Sequence, residues 1–144
     1  MITLFTDAVT SKLKRYEPYK TLAQAFRGRQ FPVDIAGPKG SFLAVVLWRL
    51  FDQSTHPMIV TVPTEQEARN LRSDSAMLGL PVAEFPWWQT VAYRPTPHNS
   101  DIFGRRVRAL GDLLSGRRVV YIVPLRALAT PVPPPAYLRS LLFT

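Results

Sequence analysis

Residues 31–51 read FPVDIAGPKGSFLAVVLWRLF: an apolar segment, a glycine-containing turn, then a strongly apolar run. The order predicts a strand over 31–36, a loop, and a helix over 41–51 that is apolar nearly all round and therefore buried on more than one side. It is also the order of a phosphate-binding loop. That pattern, G-x-x-x-x-G-K-[ST], needs backbone N–H groups around the phosphates, a lysine for charge and a hydroxyl for Mg²⁺. With the pattern begun at Gly37, Phe42 stands where the second glycine belongs, Leu43 replaces the lysine and Ala44 replaces the hydroxyl. The frame is kept and its reactive groups are gone. Gly37, Gly40 and Ser41 are then the relic of the loop, with Ser41 read as a helix cap rather than a metal ligand. Lys39 reads as a solvated loop lysine.

Working outward, helical periodicity over 7–28 is broken by Pro18, which predicts two short helices with a break near Glu17-Pro18. Met58–Val62 is a continuous apolar stretch of the kind found in fully buried parallel strands. Thr64 and Glu67 are spaced as a capping box, opening a helix that runs to about Leu78 and stops at Gly79. Pro81–Phe85 predicts a further short strand. Residues 86–100, PWWQTVAYRPTPHNS, are too rich in proline and aromatics for a regular element. Asn99 or Ser100 can cap the next helix, along which Ile102, Arg106, Leu110 and Leu113 recur at helical spacing. Val119–Val123 predicts the last strand, followed by a helical turn near Leu125–Ala129. PVPPP at 131–135 reads as a boundary, and AYLRSLLFT as the start of another element. Alternating strands and helices predict an α/β fold: a mostly parallel sheet flanked by helices, of degenerate P-loop, RecA-like type and expected to be incomplete. The expected organisation is N-terminal helices over 1–30, the α/β domain over 31–130, and a boundary with the beginning of a next domain over 131–144.

Apolar residues at 47% and charged residues at 19% place the chain among globular proteins. No apolar run reaches the roughly 20 residues a membrane-spanning helix needs, so no membrane partner is expected. The start, MITLFTDAVTSKLKR, does not read as a secretory signal. With no cysteine, disulfides and thiolate metal sites are excluded, and a cytoplasmic location is expected. A net charge of +8 points to a polyanionic neighbour. The charge is concentrated over residues 12–29 and in Arg105, Arg106, Arg108, Arg117 and Arg118. The plainer reading is two solvated faces; the sharper one is nucleic-acid or partner contact by these arginines with the Trp87/Trp88 pair.

A working ATPase of this type also needs an acid at the end of a core strand, and the strands ending in Val62-Pro63 and Val123-Pro124 offer none. His56 and His98 lie apart beside prolines, with no triad or metal-ligand spacing. The residues therefore point to no catalytic site, no cofactor and no metal. Trp87, Trp88 and Tyr93 read first as anchors of a loop folded over the sheet.

The stretch FPWWQTVAYRPTPHNSDIFGRRVRAL at 85–110 resembles the N-terminal region of bacterial transcription-repair coupling factor, Mfd. The matching residues are Phe85, Pro86, Trp88, Thr90, Tyr93, Pro97, Asp101, Ile102, Arg106 and Leu110. IVTVPTEQEARNL at 59–71, GPKGS at 37–41 and VVYIVPLRAL at 119–128 are similar to other parts of that region, so the likeness covers roughly residues 20–138. Gln89 stands where that family has Glu, Ala92 where it has Pro, and Arg94 where an acid is common. The resemblance implies a module similar to the excinuclease subunit UvrB that cannot use ATP. It implies that the parent links stalled RNA polymerase to nucleotide excision repair through UvrA. It also implies that the main UvrA grip, the polymerase-binding module and the ATP-driven DNA translocase lie beyond this chain. A small basic nucleic-acid-binding module is the alternative.

Overall fold

The computed structural model describes residues 2–89 and 100–142, with side chains for 6–89 and 100–140. Helices α1 (Ile2–Arg15) and α2 (Glu17–Arg27) are separated at Tyr16. Pro18 lies in the first turn of α2, where its missing N–H would have had no helical partner. Helix α3 spans Ser41–Asp52, strand β1 Met58–Val62, helix α4 Glu65–Met77 and strand β2 Val82–Glu84. Then follow α5 (Ser100–Leu114), β3 (Val120–Pro124), the single turn α6 (Leu125–Leu128) and α7 (Pro135–Leu142).

The three strands form a parallel sheet in the order β1-β3-β2. Val60 of β1 and Glu84 of β2 both lie opposite Ile122 of β3. Chain order therefore runs from one edge of the sheet to the other and only then fills the middle, so β3 is buried along its whole length. Its side chains alternate between two cores. Ile122 packs with Ala44, Val62, Ala68 and Leu71 under α3 and α4, whereas Tyr121 and Val123 pack with Phe85, Ala109 and Ala127 under α5 and α6. The chain is thus α/β, a three-stranded parallel sheet flanked by helices.

Helix α3 is enclosed from both sides, as its composition demands. Val45, Val46 and Leu50 meet Leu13, Tyr19, Leu22 and Ala23 of α1 and α2, and Ala44 faces the sheet and α4. The Thr64 hydroxyl accepts the N–H of Glu67 at 3.2 Å and caps α4. Gly79 closes that helix at φ 70°, a conformation open to glycine. Helix α7 packs against α5 and buries Leu138, so the segment after the proline run is attached to the α/β layer.

Two expectations differ from what is observed. No strand forms over 31–36; these residues are irregular, with Phe31 and Ile35 exposed. Pro32 removes a ladder donor from the segment, and Asp34 is a poor strand residue, so the apolar pattern is too broken to pair. Strand β1 is an edge strand rather than a fully buried one. Met58, Val60 and Val62 face the α3–α4 side, while Ile59 and Thr61 are exposed. Apolar continuity alone did not distinguish the edge of the sheet from its middle.

Tyr121 is fully buried and its hydroxyl has no hydrogen-bond partner among the described residues. Burial pushes its ionisation above the ordinary value of 10.0; the charge of Asp112 adds to this and that of Arg117 opposes it. A raised folded-state value means that stability is intact below about pH 10 and is lost as pH climbs through and beyond that value. Tyr121→Phe is therefore expected to be neutral to stabilising by about 1 kcal/mol at pH 7, because it removes an orphaned polar group. It should also flatten the alkaline decline. Urea midpoints at pH 7 and pH 10.5 measure both effects.

Candidate functional site

Gly37 and Gly40 have φ of 111° and 53°, and a Cβ at either would meet nothing within 4 Å. What the loop demands of glycine is therefore torsional freedom and not space. Gly40 is the N-cap of α3, and Ser41 is the first helical residue rather than the cap. The Ser41 hydroxyl donates to Oδ2 of Asp74 on α4 at 3.1 Å. A carboxylate of the chain itself thus stands beside the positive end of α3, where a phosphate-binding loop would receive its anion. The adjoining cavity, about 450 Å³, is lined by Lys39 on one side and by Glu67 and Asp74 on the other. Two carboxylates against one ammonium repel a polyphosphate. Leu43 packs against the Val62, Ala68, Leu71 and Ile122 cluster, and Ala44 is fully buried within it. The two positions that would carry lysine and hydroxyl have been absorbed into the core.

An acid does end one strand. Glu84 closes β2, a strand too short and too weakly apolar to stand out beside those that end in Val62-Pro63 and Val123-Pro124. Its side chain is only 10% exposed and is held between Arg105 (3.3 Å) and Arg72 (3.7 Å). It lines a different cavity from the glycine loop, shared with Glu65, Trp87 and Arg105. Glu84 is an anchor for arginines at the edge of the sheet and is not placed to complete a metal site at the loop.

The five arginines read as a cluster differ in their partners. Arg105 bridges Glu84 and Asp101, the latter at 2.9 Å. Arg117 pairs with Asp112 at 3.2 Å. Arg118 donates through Nε to the Ser54 carbonyl at 2.7 Å and through Nη2 to that of Phe51, with its guanidinium 4.1 Å from the Phe51 ring. It therefore satisfies the carbonyl end of α3, which favours a cation. Arg108 is exposed, with no partner among the described residues.

Arg106 is the unexpected one, at 2% exposure. Its guanidinium lies 4.0 Å from the ring centroid of Phe85 and 4.5 Å from that of Trp88. Nη1 donates to the Pro86 carbonyl at 2.7 Å and Nη2 to the Thr130 hydroxyl at 3.0 Å. Thr130 in turn donates to the Ala127 carbonyl. Burial lowers the ionisation of Arg106, yet no carboxylate pairs with it among the described residues. A planar cation between two aromatic faces needs less hydration than an ammonium would, which makes arginine suited to this position. Its place on the buried stripe with Ile102 was visible in the helical spacing; its aromatic partners were not, because they lie some twenty residues upstream.

Trp88 also packs near Phe103, with ring centroids 6.3 Å apart, and Trp87 joins the Phe85 cluster with Arg126 over its ring at 5.3 Å. Both tryptophans are half-buried anchors of the segment leaving β2. Thr90, Ala92, Tyr93, Arg94, Pro97, His98 and Asn99 lie outside the described residues. No helix among the described residues is long and apolar enough to cross a membrane. No protein-family model, curated protein or solved structure matches this chain.

Proposed function

We propose that the chain is a non-catalytic scaffold, a RecA-like layer that has lost nucleotide chemistry, of the kind its resemblance to transcription-repair coupling factor implies. On this reading it belongs to a UvrB-like module that links stalled RNA polymerase to excision repair through UvrA, with DNA engaged by the translocase of the parent protein. The observation that carries the reading is the Arg106 cluster. Phe85, Pro86, Trp88, Ile102 and Arg106, all among the residues of the resemblance, fall into one structural unit: Arg106 between Phe85 and Trp88, bonded to Pro86, with Ile102 buried on the same helix. Side chains packed in this way hold the start of the segment leaving β2 against α5. The carboxylates beside Gly40 and Ser41 support the non-catalytic part of the reading, since they oppose phosphate where a nucleotidase would attract it.

Immunoprecipitation from source cells with an antibody to this chain tests the proposal. The expected result is a polypeptide many times larger than 16.3 kDa, recovered with UvrA and RNA polymerase. A band at 16.3 kDa alone, without either partner, would overturn it.

A further inference from the structure

We propose that the groove between the end of α2 and the α3–β1 connection binds single-stranded nucleic acid. The proposal goes beyond the scaffold reading and uses none of the residues at 85–110. The groove measures about 560 Å³, and its lining includes Phe26, Arg27, Arg29, Phe31 and His56 but no carboxylate. Phe31 is 61% exposed, and Phe26 meets it edge to face at 6.2 Å, which fixes the orientation of a ring otherwise open to solvent. An exposed, oriented aromatic face with cations beside it is the arrangement on which successive bases stack while their phosphates are neutralised.

The cations are free for that task. Among the described residues Arg27 uses only Nε, donating to the Ala23 carbonyl at 3.2 Å, which leaves both Nη groups without a partner there. Arg29 is exposed and has no side-chain partner among the described residues. Its φ of 52° is left-handed, at a position just past a helix where glycine is usual. A long cation held there in place of glycine is the outlier that draws attention to the groove. Nδ1 of His56 lies 3.0 Å from the Thr55 hydroxyl, and its Nε2 has no partner among the described residues. The carbonyl end of α3, which would oppose an anion, is already met by Arg118. Between 105 and 118, Arg105 and Arg117 are paired with acids, Arg118 with carbonyls, and Arg106 is buried, whereas Arg27 and Arg29 meet no acid among the described residues.

Fluorescence polarisation of the full chain with a labelled fifteen-nucleotide oligothymidylate, over 50–200 mM salt, tests this. Two phosphate contacts by Arg27 and Arg29 give a log–log salt slope of about −1.4, or roughly a sevenfold loss of affinity over that range. Arg27→Gln with Arg29→Gln should remove that slope, and Phe31→Ala should weaken binding about tenfold with the slope kept. Oligouridylate in place of oligothymidylate reports whether the sugar is read; equal binding of the two is expected, because stacking and phosphate contact do not involve the 2′-hydroxyl. Circular dichroism should show each variant folded, since all three residues are on the surface. Any of three results would overturn the proposal: no binding at 50 mM salt, equal affinity for the variants and the parent, or loss of binding in Arg108→Gln instead.

Discussion

Arg106→Met is expected to cost about 3 kcal/mol, the largest effect of any single substitution on the face of α5 that meets β2 and β3. Two hydrogen bonds from a charged donor are worth roughly 1.5–3 kcal/mol each. The two aromatic contacts add about 1–2 kcal/mol. Against these stands the hydration that a buried cation gives up, which is recovered when the charge is removed. The remainder is dominated by the carbonyl of Pro86, a buried residue, which loses its donor. Thr130 keeps its bond to Ala127 and suffers less. A chain of this length should lose about 10 °C in melting temperature for that energy. Arg106→Lys keeps the charge but neither the planar stack nor the fork, and should recover less than half of the loss. Arg108→Met, on the exposed side of the same helix, should change stability by less than about 0.5 kcal/mol. The guanidinium stays charged at every accessible pH, so the difference between the two variants should not depend on pH. Urea midpoints with unchanged slopes would measure it; an Arg106→Met midpoint equal to that of Arg108→Met would contradict the account.

The second large effect comes from giving residues 42–44 the side chains of a phosphate-binding loop. The triple variant Phe42→Gly, Leu43→Lys, Ala44→Ser restores the residue types of a phosphate-binding loop, yet it should destabilise the chain by about 3 kcal/mol. Removing Leu43 from its contacts costs about 1–2 kcal/mol. Glycine in the first turn adds up to about 1 kcal/mol. A hydroxyl at the fully buried position 44 adds about 1 kcal/mol more, reduced if it bonds back to the Gly40 carbonyl. Nucleotide binding should not return, because the introduced lysine lies beside Glu67 and Asp74 and will pair with them in preference to a phosphate. Micromolar MgATP binding by this variant would show that residues 42–44 alone had silenced the loop.

Where the sequence was informative, it was so for local reasons. The helices were legible from caps and breakers: Thr64 with Glu67, Pro18 in the first turn of α2, and Gly79 just past a helix end. Strand β3 was legible because five consecutive residues must be covered on both faces. The edge position of β1 was not, since Ile59 reads as buried in any hydropathy pattern and only the order β1-β3-β2 exposes it. The strand over 31–36 misled because Phe31, Val33 and Ile35 alternate as a strand should; Phe31 and Ile35 instead lie open to solvent and only Val33 packs on the α1–α3 cluster.

The site shows the same division between short and long range. The residue types at Phe42, Leu43 and Ala44 were readable directly. The carboxylate that bonds Ser41 was not, because Asp74 approaches from a helix 33 residues away. The partners of the basic residues were hidden for a similar reason. Sequence proximity of Arg105 and Arg118 says nothing of the Glu84 carboxylate and the Phe51 carbonyl that they meet across the fold. Long-range partners decide whether a surface charge is available, and a single sequence does not display them.

The central claim is that this chain holds its fold and has given up nucleotide chemistry. Isothermal titration of the unmodified chain with MgATP to millimolar concentration tests it most directly. The account predicts no saturable heat, because Asp74 bonds Ser41 beside the N-terminus of α3 and the cavity carries Glu67 as well. A saturable isotherm with a dissociation constant in the micromolar range would contradict it.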